Sequence, residues 1–143
     1  MQVINVLVQY YPLFFQALGV TLKMTVVSLI AATVLGTIFG LFKVSGMGIL
    51  KVIADIYIDI IRGTPLMVQV FIIYYGVFGI VQLPSFQILG FIKFSRFFPG
   101  VVALGMNSGA YLCEIIRAGI QSIDGGQTEA ARSLGLSQMQ NMR

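Results

Sequence analysis

The chain has 143 residues, of which 57% are hydrophobic and only 10% are charged. A soluble domain carries about 25% charged residues, so this composition excludes an ordinary soluble protein and indicates an all-α polytopic membrane protein. The net charge of +4 comes without a basic run, which argues against nucleic-acid binding. With no histidine and one cysteine, the chain has no histidine-based metal site and no intrachain disulfide.

The first predicted elements are an N-terminal segment and a membrane span. Residues 1–15 are apolar and aromatic at helical spacing, and Pro12 interrupts them, which predicts an interfacial helix lying on the bilayer. Residues 24–42 hold 19 residues without a charge, close to the ~20 needed to cross a hydrocarbon core. Gly36 and Gly40 form a small-xxx-small pair, which either admits a close helix neighbour or reflects ordinary glycine content.

An amphipathic piece comes next, in which Asp55, Asp59 and Arg62 share one helix face. We interpret this face as solvated or interfacial, with an Asp59–Arg62 pair; a gate near the cytoplasmic mouth is the alternative.

The second apolar run, residues 63–92, is too long for one straight helix across about 30 Å of hydrocarbon. Pro65 should kink or restart the helix, and the span should end near Gln82. Lys93 and Arg96 then mark a loop on the far side of the membrane.

The third predicted span is residues 97–113, whose helix should continue through Arg117 into water. The run 124–126, Asp-Gly-Gly, is a turn signal. Thr128 is predicted to cap a helix over 129–134, with Gly135 as its left-handed stop. Ser137 and Gln140 fit a capping box that starts a second helix.

The placement of lysine and arginine predicts the topology. With three crossings, the 42–62 connection and the tail lie on one side of the membrane and contain six lysines and arginines. The other three lie on the opposite side. The positive-inside rule therefore places the loop and tail in the cytoplasm and the N-terminus outside. The two groups are Lys43, Lys51, Arg62, Arg117, Arg132 and Arg143, against Lys23, Lys93 and Arg96.

Two motifs carry a family resemblance. Glu129-Ala130-Ala131, three further residues and Gly135 closely resemble the EAA loop of permease subunits of bacterial ATP-binding-cassette importers. RGTPLMVQ, residues 62–69, is similar to the polar amino acid (His/Glu/Gln/Arg/opine) branch of that family. The resemblance implies the N-terminal part of the MetI-like, type I permease fold: one domain over 1–143, about three transmembrane helices, and a cytoplasmic coupling helix–turn–helix at 124–143.

In this family the EAA loop docks on the ATPase subunits. The chain has no GxxxxGK[ST] loop, so ATP would be bound and hydrolysed by that partner, and we expect no catalytic residue, cofactor or metal in this chain. From the residues alone, a plain cytoplasmic connector is the alternative. The coupling residues that the resemblance implies are Gly126, Glu129, Ala130, Ala131, Arg132 and Gly135.

Polar residues inside the apolar spans are candidates for a translocation path. A carboxylate facing lipid costs about 2.5–3.5 kcal/mol, so such groups should face a neighbouring helix or water. An interfacial Glu114–Arg117 pair, and simple interhelical bonding of Asn107 and Ser108, remain open alternatives. The resemblance favours a path lined by Thr64, Gln69, Asn107, Ser108 and Glu114.

The resemblance implies the permease subunit of an amino acid importer in the bacterial cell membrane. Its expected partners are cassette ATPase subunits, a second or sister permease, an extracytoplasmic binding protein, membrane lipid and a polar amino acid. A non-transporting adaptor or degenerate remnant that still contacts an ATPase is the alternative. The family box continues past Gly135 to an Ile-x-Leu-Pro ending that is missing here. The chain is therefore interpreted as an incomplete permease with the loop cut short, unable to transport alone.

Overall fold

The computed structural model describes residues 2–81, 83–88, 92–137 and 140. These residues are almost entirely helical, as the composition predicts, apart from a two-stranded antiparallel hairpin. The helices are α1 Gln2–Val44, α2 Gly48–Gly63, α3 Leu66–Phe71, a π-helical turn Ile72–Val77, α4 Phe78–Ile80, α5 Phe94–Gln121 and α6 Gly125–Ser133, with strands β1 Gln87–Ile88 and β2 Ile92–Lys93.

Helix α1 is continuous from Gln2 to Val44, so the predicted interruption at Pro12 does not occur. A proline removes one intrahelical hydrogen bond, and the strongly apolar sequence on both sides continues the helix past that loss. The predicted first span lies within α1, and its part Tyr10–Val44 is long and apolar enough to cross a membrane. The position of residues 1–15 on the bilayer surface stays a prediction.

Helices α1 and α5 pack side by side and run in the same direction. Met24 lies against Gly100 near one end of the pair, and Gly40 lies against Ile116 near the other. Because α1 and α5 are parallel, the end of α1 and the start of α5 lie at opposite ends of the pair. The chain between them must therefore run back from one end of the bundle to the other. This arrangement agrees with the three crossings that the apolar runs of the sequence predict.

Small residues set the distance between α1 and α5. A Cβ atom on Gly36 would lie 2.6 Å from the Leu112 Cβ and 3.1 Å from the Gly109 carbonyl oxygen. Ala32 and Cys113 are fully buried nearby. The close-approach reading of Gly36 and Gly40 is therefore confirmed, because a Cβ on Gly36 would require a shift of α5 and a Cβ on Gly40 would lie only 3.0 Å from the Ile116 side chain.

The second span is broken at Thr64 and Pro65, as predicted. Both residues are extended, and the helical segments on either side are bent by 105°. The helix that restarts at Leu66 includes the π-helical turn and ends at Ile80. Gln82, the predicted end of the span, lies outside the described residues.

By length and composition, the described residues contain one helix that can cross a membrane, or two if the bent pair Gly48–Gly63 plus Leu66–Ile80 counts as one span. Helix α5, which holds the predicted third span 97–113, is not among them. Its buried residues include several glycines and alanines, which lower its mean hydropathy, and a helix shielded by a neighbour need not be strongly apolar.

Aromatic rings attach the hairpin to the start of α5. The Phe86 ring stacks on Phe94 with centroids 4.9 Å apart, and Phe94 stacks on Phe98 at 5.1 Å. Helix α5 begins at Phe94, so Arg96 lies in its first turn rather than in the predicted loop. The hairpin therefore holds Lys93 and Arg96 close to α1.

Helix α6 begins earlier than predicted. It starts at Gly125, and the Asp124 side chain accepts a hydrogen bond of 2.8 Å from the Gly126 N–H, so the predicted turn at 124–126 and the Thr128 cap are both wrong. Aspartate is among the strongest helix N-caps, and it fixes the start of the helix before Thr128. Gly135 has φ +78°, which confirms the predicted left-handed stop. Most of the second helix predicted after Ser137 lies outside the described residues.

Candidate functional site

The break in the second span creates an unpaired carbonyl that one side chain satisfies. Pro65 has no N–H, so the Ile61 carbonyl, four residues earlier, lacks its helical donor. The Gln69 Nε2 donates to the Ile61 oxygen at 2.6 Å and to the Thr64 carbonyl oxygen at 2.9 Å. Thr64 Oγ1 in turn donates to the Ile60 carbonyl at 2.9 Å. The RGTPLMVQ motif thus contains both the helix breaker and the amide that stabilises the break.

Asn107 connects this break to α5. Its Nδ2 donates to the Gln69 Oε1 at 3.2 Å. The structure thus brings together three of the predicted path residues, Thr64, Gln69 and Asn107. Gln69 is buried and its amide is fully engaged, whereas Asn107 is half-buried. Within the described part of the chain, the Asn107 Oδ1 accepts no hydrogen bond, so it is the polar group of the three that is available to a ligand.

Ser108 lies elsewhere. It lines a cavity of about 160 Å³ between α1 and α5, together with Thr25, Ser28 and Leu104. The buried Ser28 hydroxyl has no hydrogen-bond partner among the described residues. Ser108 therefore belongs to a small hydroxyl-lined cavity, separate from the Gln69–Asn107 pair.

Glu114 belongs to an ion-pair cluster that joins three helices. The Lys43 Nζ at the end of α1 pairs with Glu114 on α5 and lies 3.2 Å from the Asp55 Oδ1 on α2. The Arg117 Nη2 lies 3.1 Å from the Glu114 Oε2, which is the pair that the spacing of these residues suggests. The Glu114 carboxylate therefore already has two cationic partners. We call Lys43, Asp55, Glu114 and Arg117 the ion-pair cluster.

Arg62 does not pair with Asp59 in the described structure. Its guanidinium instead lies over the Tyr111 ring on α5, 5.3 Å from the ring centroid. A cation–π contact at an exposed site such as this one contributes about 0.5–1 kcal/mol. Together with the Gln69–Asn107 bond, it ties the end of α2 to α5 next to the break.

The sequence reading did not single out Tyr57. Its hydroxyl donates to the Met106 carbonyl oxygen at 2.6 Å, and its ring stacks on Phe39 at 4.2 Å, so one side chain contacts both α5 and α1. A Cβ on Gly109 would lie 3.0 Å from that hydroxyl. The sequence signal for this contact is a tyrosine beside the apolar face of an amphipathic helix, which indicates a hydroxyl that needs a hydrogen-bond partner without identifying that partner.

Helix α6 presents its surface to solvent. The predicted coupling residues are exposed, except for Ala131, which is half-buried. Gly135 lies just past the end of the helix. Leu134 is 80% exposed and Ile123 is 59% exposed at its two ends. Large apolar side chains held in water beside small residues are typical of a contact surface for another protein.

We call the hydrogen-bonded residues Thr64, Gln69 and Asn107, between the broken span and α5, the polar seam. A helical membrane bundle with a broken span, a polar seam at the break and an exposed helix at one end has the architecture of a transport permease. Residues 32–143 match the model of the binding-protein-dependent transport system inner membrane component family. The chain belongs to this family. The predicted permease fold is therefore confirmed, and the family is one of inner-membrane proteins.

Several curated relatives of this chain are named as amino acid permeases. The chain is 46% identical over 125 residues to the arginine transport system permease protein ArtQ of Bacillus subtilis, covering 87% of this chain and 53% of that protein. It is 43% identical to the putative glutamine transport system permease protein GlnP of Rickettsia conorii, covering 91% and 57%. The chain thus spans about half the length of the curated relatives it matches.

A solved structure is similar along almost the whole chain. The crystal structure of an amino acid ABC transporter with histidines matches with a TM-score of 0.80 and 42% sequence identity. The match covers 97% of this chain and 60% of that one. These relatives and this structure are named for the amino acid branch of the family, the branch to which the RGTPLMVQ motif is similar.

Proposed function

We propose that this chain forms part of the permease subunit of an ATP-driven amino acid importer. In this role it lines the translocation path and couples that path to a separate ATPase subunit. The observation that carries the proposal is the continuity of α5. This single helix holds Asn107 at the polar seam, continues through Glu114 and Arg117, and leads within a few residues into α6.

The proposed path runs along the seam between the broken span and α5. Of the residues predicted to line it, Asn107 retains an uncommitted oxygen that can accept a hydrogen bond from a substrate ammonium group. Thr64 and Gln69 shape the seam by holding the break. Ser108 would reach a substrate only through the neighbouring cavity. Glu114 would have to exchange one of its cations to bind a cationic substrate.

The proposed coupling surface is α6, which docks on a cassette ATPase. Ala130 and Gly126 permit close approach, and exposed Glu129 and Arg132 supply charged contacts at the edge. The partner binds and hydrolyses ATP, and this chain needs no cofactor of its own. A second or sister permease completes the path, and an extracytoplasmic binding protein delivers a polar amino acid.

In this arrangement the N-terminus is outside the cell and α6 is in the cytoplasm. Glu114 and Arg117 then lie between the seam and the ATPase. A displacement of α6 is transmitted along α5 to Asn107, which alternates the side to which the seam is open.

The first experiment tests the coupling surface. The chain is co-expressed with its cassette ATPase and purified through a tag on the chain. We expect the ATPase to co-purify with the wild type and with the control Lys51→Trp, and to be lost from Ala130→Trp. Lys51 is exposed on α2, outside the coupling surface. Equal recovery of the ATPase with Ala130→Trp would contradict the proposal.

The second experiment tests the orientation. A cysteine at position 133 (Ser133→Cys in a Cys113→Ser background) should react with an impermeant maleimide only after the membrane is opened. Labelling in intact cells would place α6 outside, where an ATPase cannot reach it, and the coupling proposal would fail.

A further inference from the structure

The end of the bundle opposite α6 is positively charged without acidic residues of its own. We define this far end as residues 10–24 of α1 together with residues 78–81, 83–88 and 92–98. All five acidic residues of the chain lie at positions 55, 59, 114, 124 and 129, so none falls in the far end. Lys23, Lys93 and Arg96 do. The far end therefore attracts anions, and this chain supplies no carboxylate there.

Two of these cations line a cavity. A pocket of about 340 Å³ lies between α1, β2 and the start of α5, with Lys93 and Arg96 on it. Its other lining residues are Val20, Met24, Ile92 and Phe97, so the rest of its lining is apolar. The volume lies within the range of about 300–1,000 Å³ that is typical of small-molecule sites. The pocket thus combines two positive charges with a surface suited to a hydrocarbon chain.

The pocket lies where a single lysine interrupts the apolar surface of α1. Val20 and Met24 lie on either side of Lys23 in the sequence, and residues 2–22 and 24–42 carry no charge. An apolar groove of about 310 Å³, lined by Leu22, Lys23, Val26 and Val27, lies on the same stretch of α1. Exposed apolar side chains and cations therefore lie at one level of α1, a combination that suits a ligand with an anionic group and a hydrocarbon chain.

We propose that this pocket binds an anionic phospholipid. The headgroup phosphate lies between Lys93 and Arg96, and one acyl chain runs along Val20, Met24 and Phe97. Charge complementarity requires an anion, and the apolar lining favours a lipid over an acidic peptide or a free phosphate ion. This site is separate from the seam and from α6, and it does not depend on the proposed transport function.

The test is native mass spectrometry of the purified chain in detergent, titrated with phosphatidylglycerol or phosphatidylethanolamine carrying the same acyl chains. We expect phosphatidylglycerol to bind several-fold more tightly. The double variant Lys93→Gln/Arg96→Gln should weaken phosphatidylglycerol binding by about tenfold, because each cation near a lipid surface strengthens binding severalfold. The matched control, Lys51→Gln/Arg132→Gln, removes two exposed cations at the opposite end and should change binding less than about twofold.

Other results would overturn the proposal. The first is equal affinity of the wild type for the two lipids. The second is equal affinity of the double variant and the wild type for phosphatidylglycerol. The third is an equal loss of phosphatidylglycerol affinity in the double variant and in the control. Two competitors separate the other anions. Displacement of the lipid by millimolar inorganic phosphate would assign the pocket to a free ion, and displacement by a short polyglutamate peptide would assign it to an acidic protein. If the double variant does not fold, the two single variants are titrated in the same way, and phosphatidylglycerol binding by both that equals binding by the wild type would overturn the proposal.

Discussion

The side-chain amides of Gln69 and Asn107 share a hydrogen bond of 3.2 Å, which joins the broken span to α5 beside the proposed path. The same Gln69 amide supplies the donor that Pro65 removes from the Ile61 carbonyl. One side chain therefore stabilises the break and fixes its distance from α5. Because Gln69 bonds both the break and Asn107, a change at Gln69 should alter both the stability of the protein and the position of Asn107.

Replacing Gln69 by leucine should destabilise the protein by about 1–3 kcal/mol. The substitution leaves buried carbonyls without donors and removes the acceptor for Asn107. Thermal unfolding in detergent, followed by circular dichroism, measures the change. The control is Gln127→Leu on the exposed surface of α6, which should change the midpoint little. Equal midpoints for the two variants would show that the Gln69 amide does not stabilise the break.

Replacing Gly36 by alanine should separate α1 from α5. The new Cβ would lie 2.6 Å from the Leu112 Cβ, and overpacking of this kind costs about 1–3 kcal/mol. Cys113 is fully buried in this interface and provides the readout. It should resist N-ethylmaleimide in the wild type and react faster in Gly36→Ala.

Gly19→Ala is the matched control, because it lies in the same helix with no atom within 4 Å of the added Cβ. Protection of Cys113 in all three proteins, with unchanged thermal midpoints, would mean that the helices tolerate a wider spacing.

Lys43 and Glu114 should show energetic coupling in a double-mutant cycle. With Lys43→Met and Glu114→Gln, we expect a coupling free energy of about 0.5–3 kcal/mol, since the two groups are in contact. Their side chains are only 14% and 20% exposed, so the coupling should persist at high salt. The control cycle uses Lys51 and Asp59, both exposed on α2. Coupling no larger than in this control would indicate that the ion pair contributes nothing.

Asp124→Ala should loosen the start of α6 by about 1 kcal/mol, the usual cost of losing an N-cap. Amide hydrogen exchange over residues 126–130 should accelerate. Thr128→Ala removes the residue that the sequence favoured as the cap and should have a smaller effect. The opposite ranking of the two variants would restore the original prediction and move the start of α6.

The sequence predicts the helical class, the break at Pro65 and the stop at Gly135, because each depends on a local property of a few residues. It does not predict the Lys43–Glu114 pair, although both residues end an uncharged run. Their meeting depends on α1 and α5 being parallel and in a particular register, which only the packing of glycine against side chains decides.

Two other differences have distinct causes. The Asp124 cap has a visible signal in the sequence, because Asp124 and Gln127 have the spacing of a capping box, but the two glycines between them are equally typical of a turn. The role of Gln69 had no such signal. Its donor reaches back across a 105° bend, and the bend must be known before the acceptor can be identified.

The parallel arrangement of α1 and α5 also bears on how the protein is made. Ribosomal synthesis delivers α1 to the bilayer long before α5 exists, so Gly36 and Gly40 must first face acyl chains or a chaperoning insertase. The groove that these glycines leave on the surface of α1 is filled only after α5 has been synthesised and inserted. Completion of the bundle is therefore a late event in biogenesis, and a lesion in α5 should leave α1 inserted but unprotected from membrane quality-control proteases.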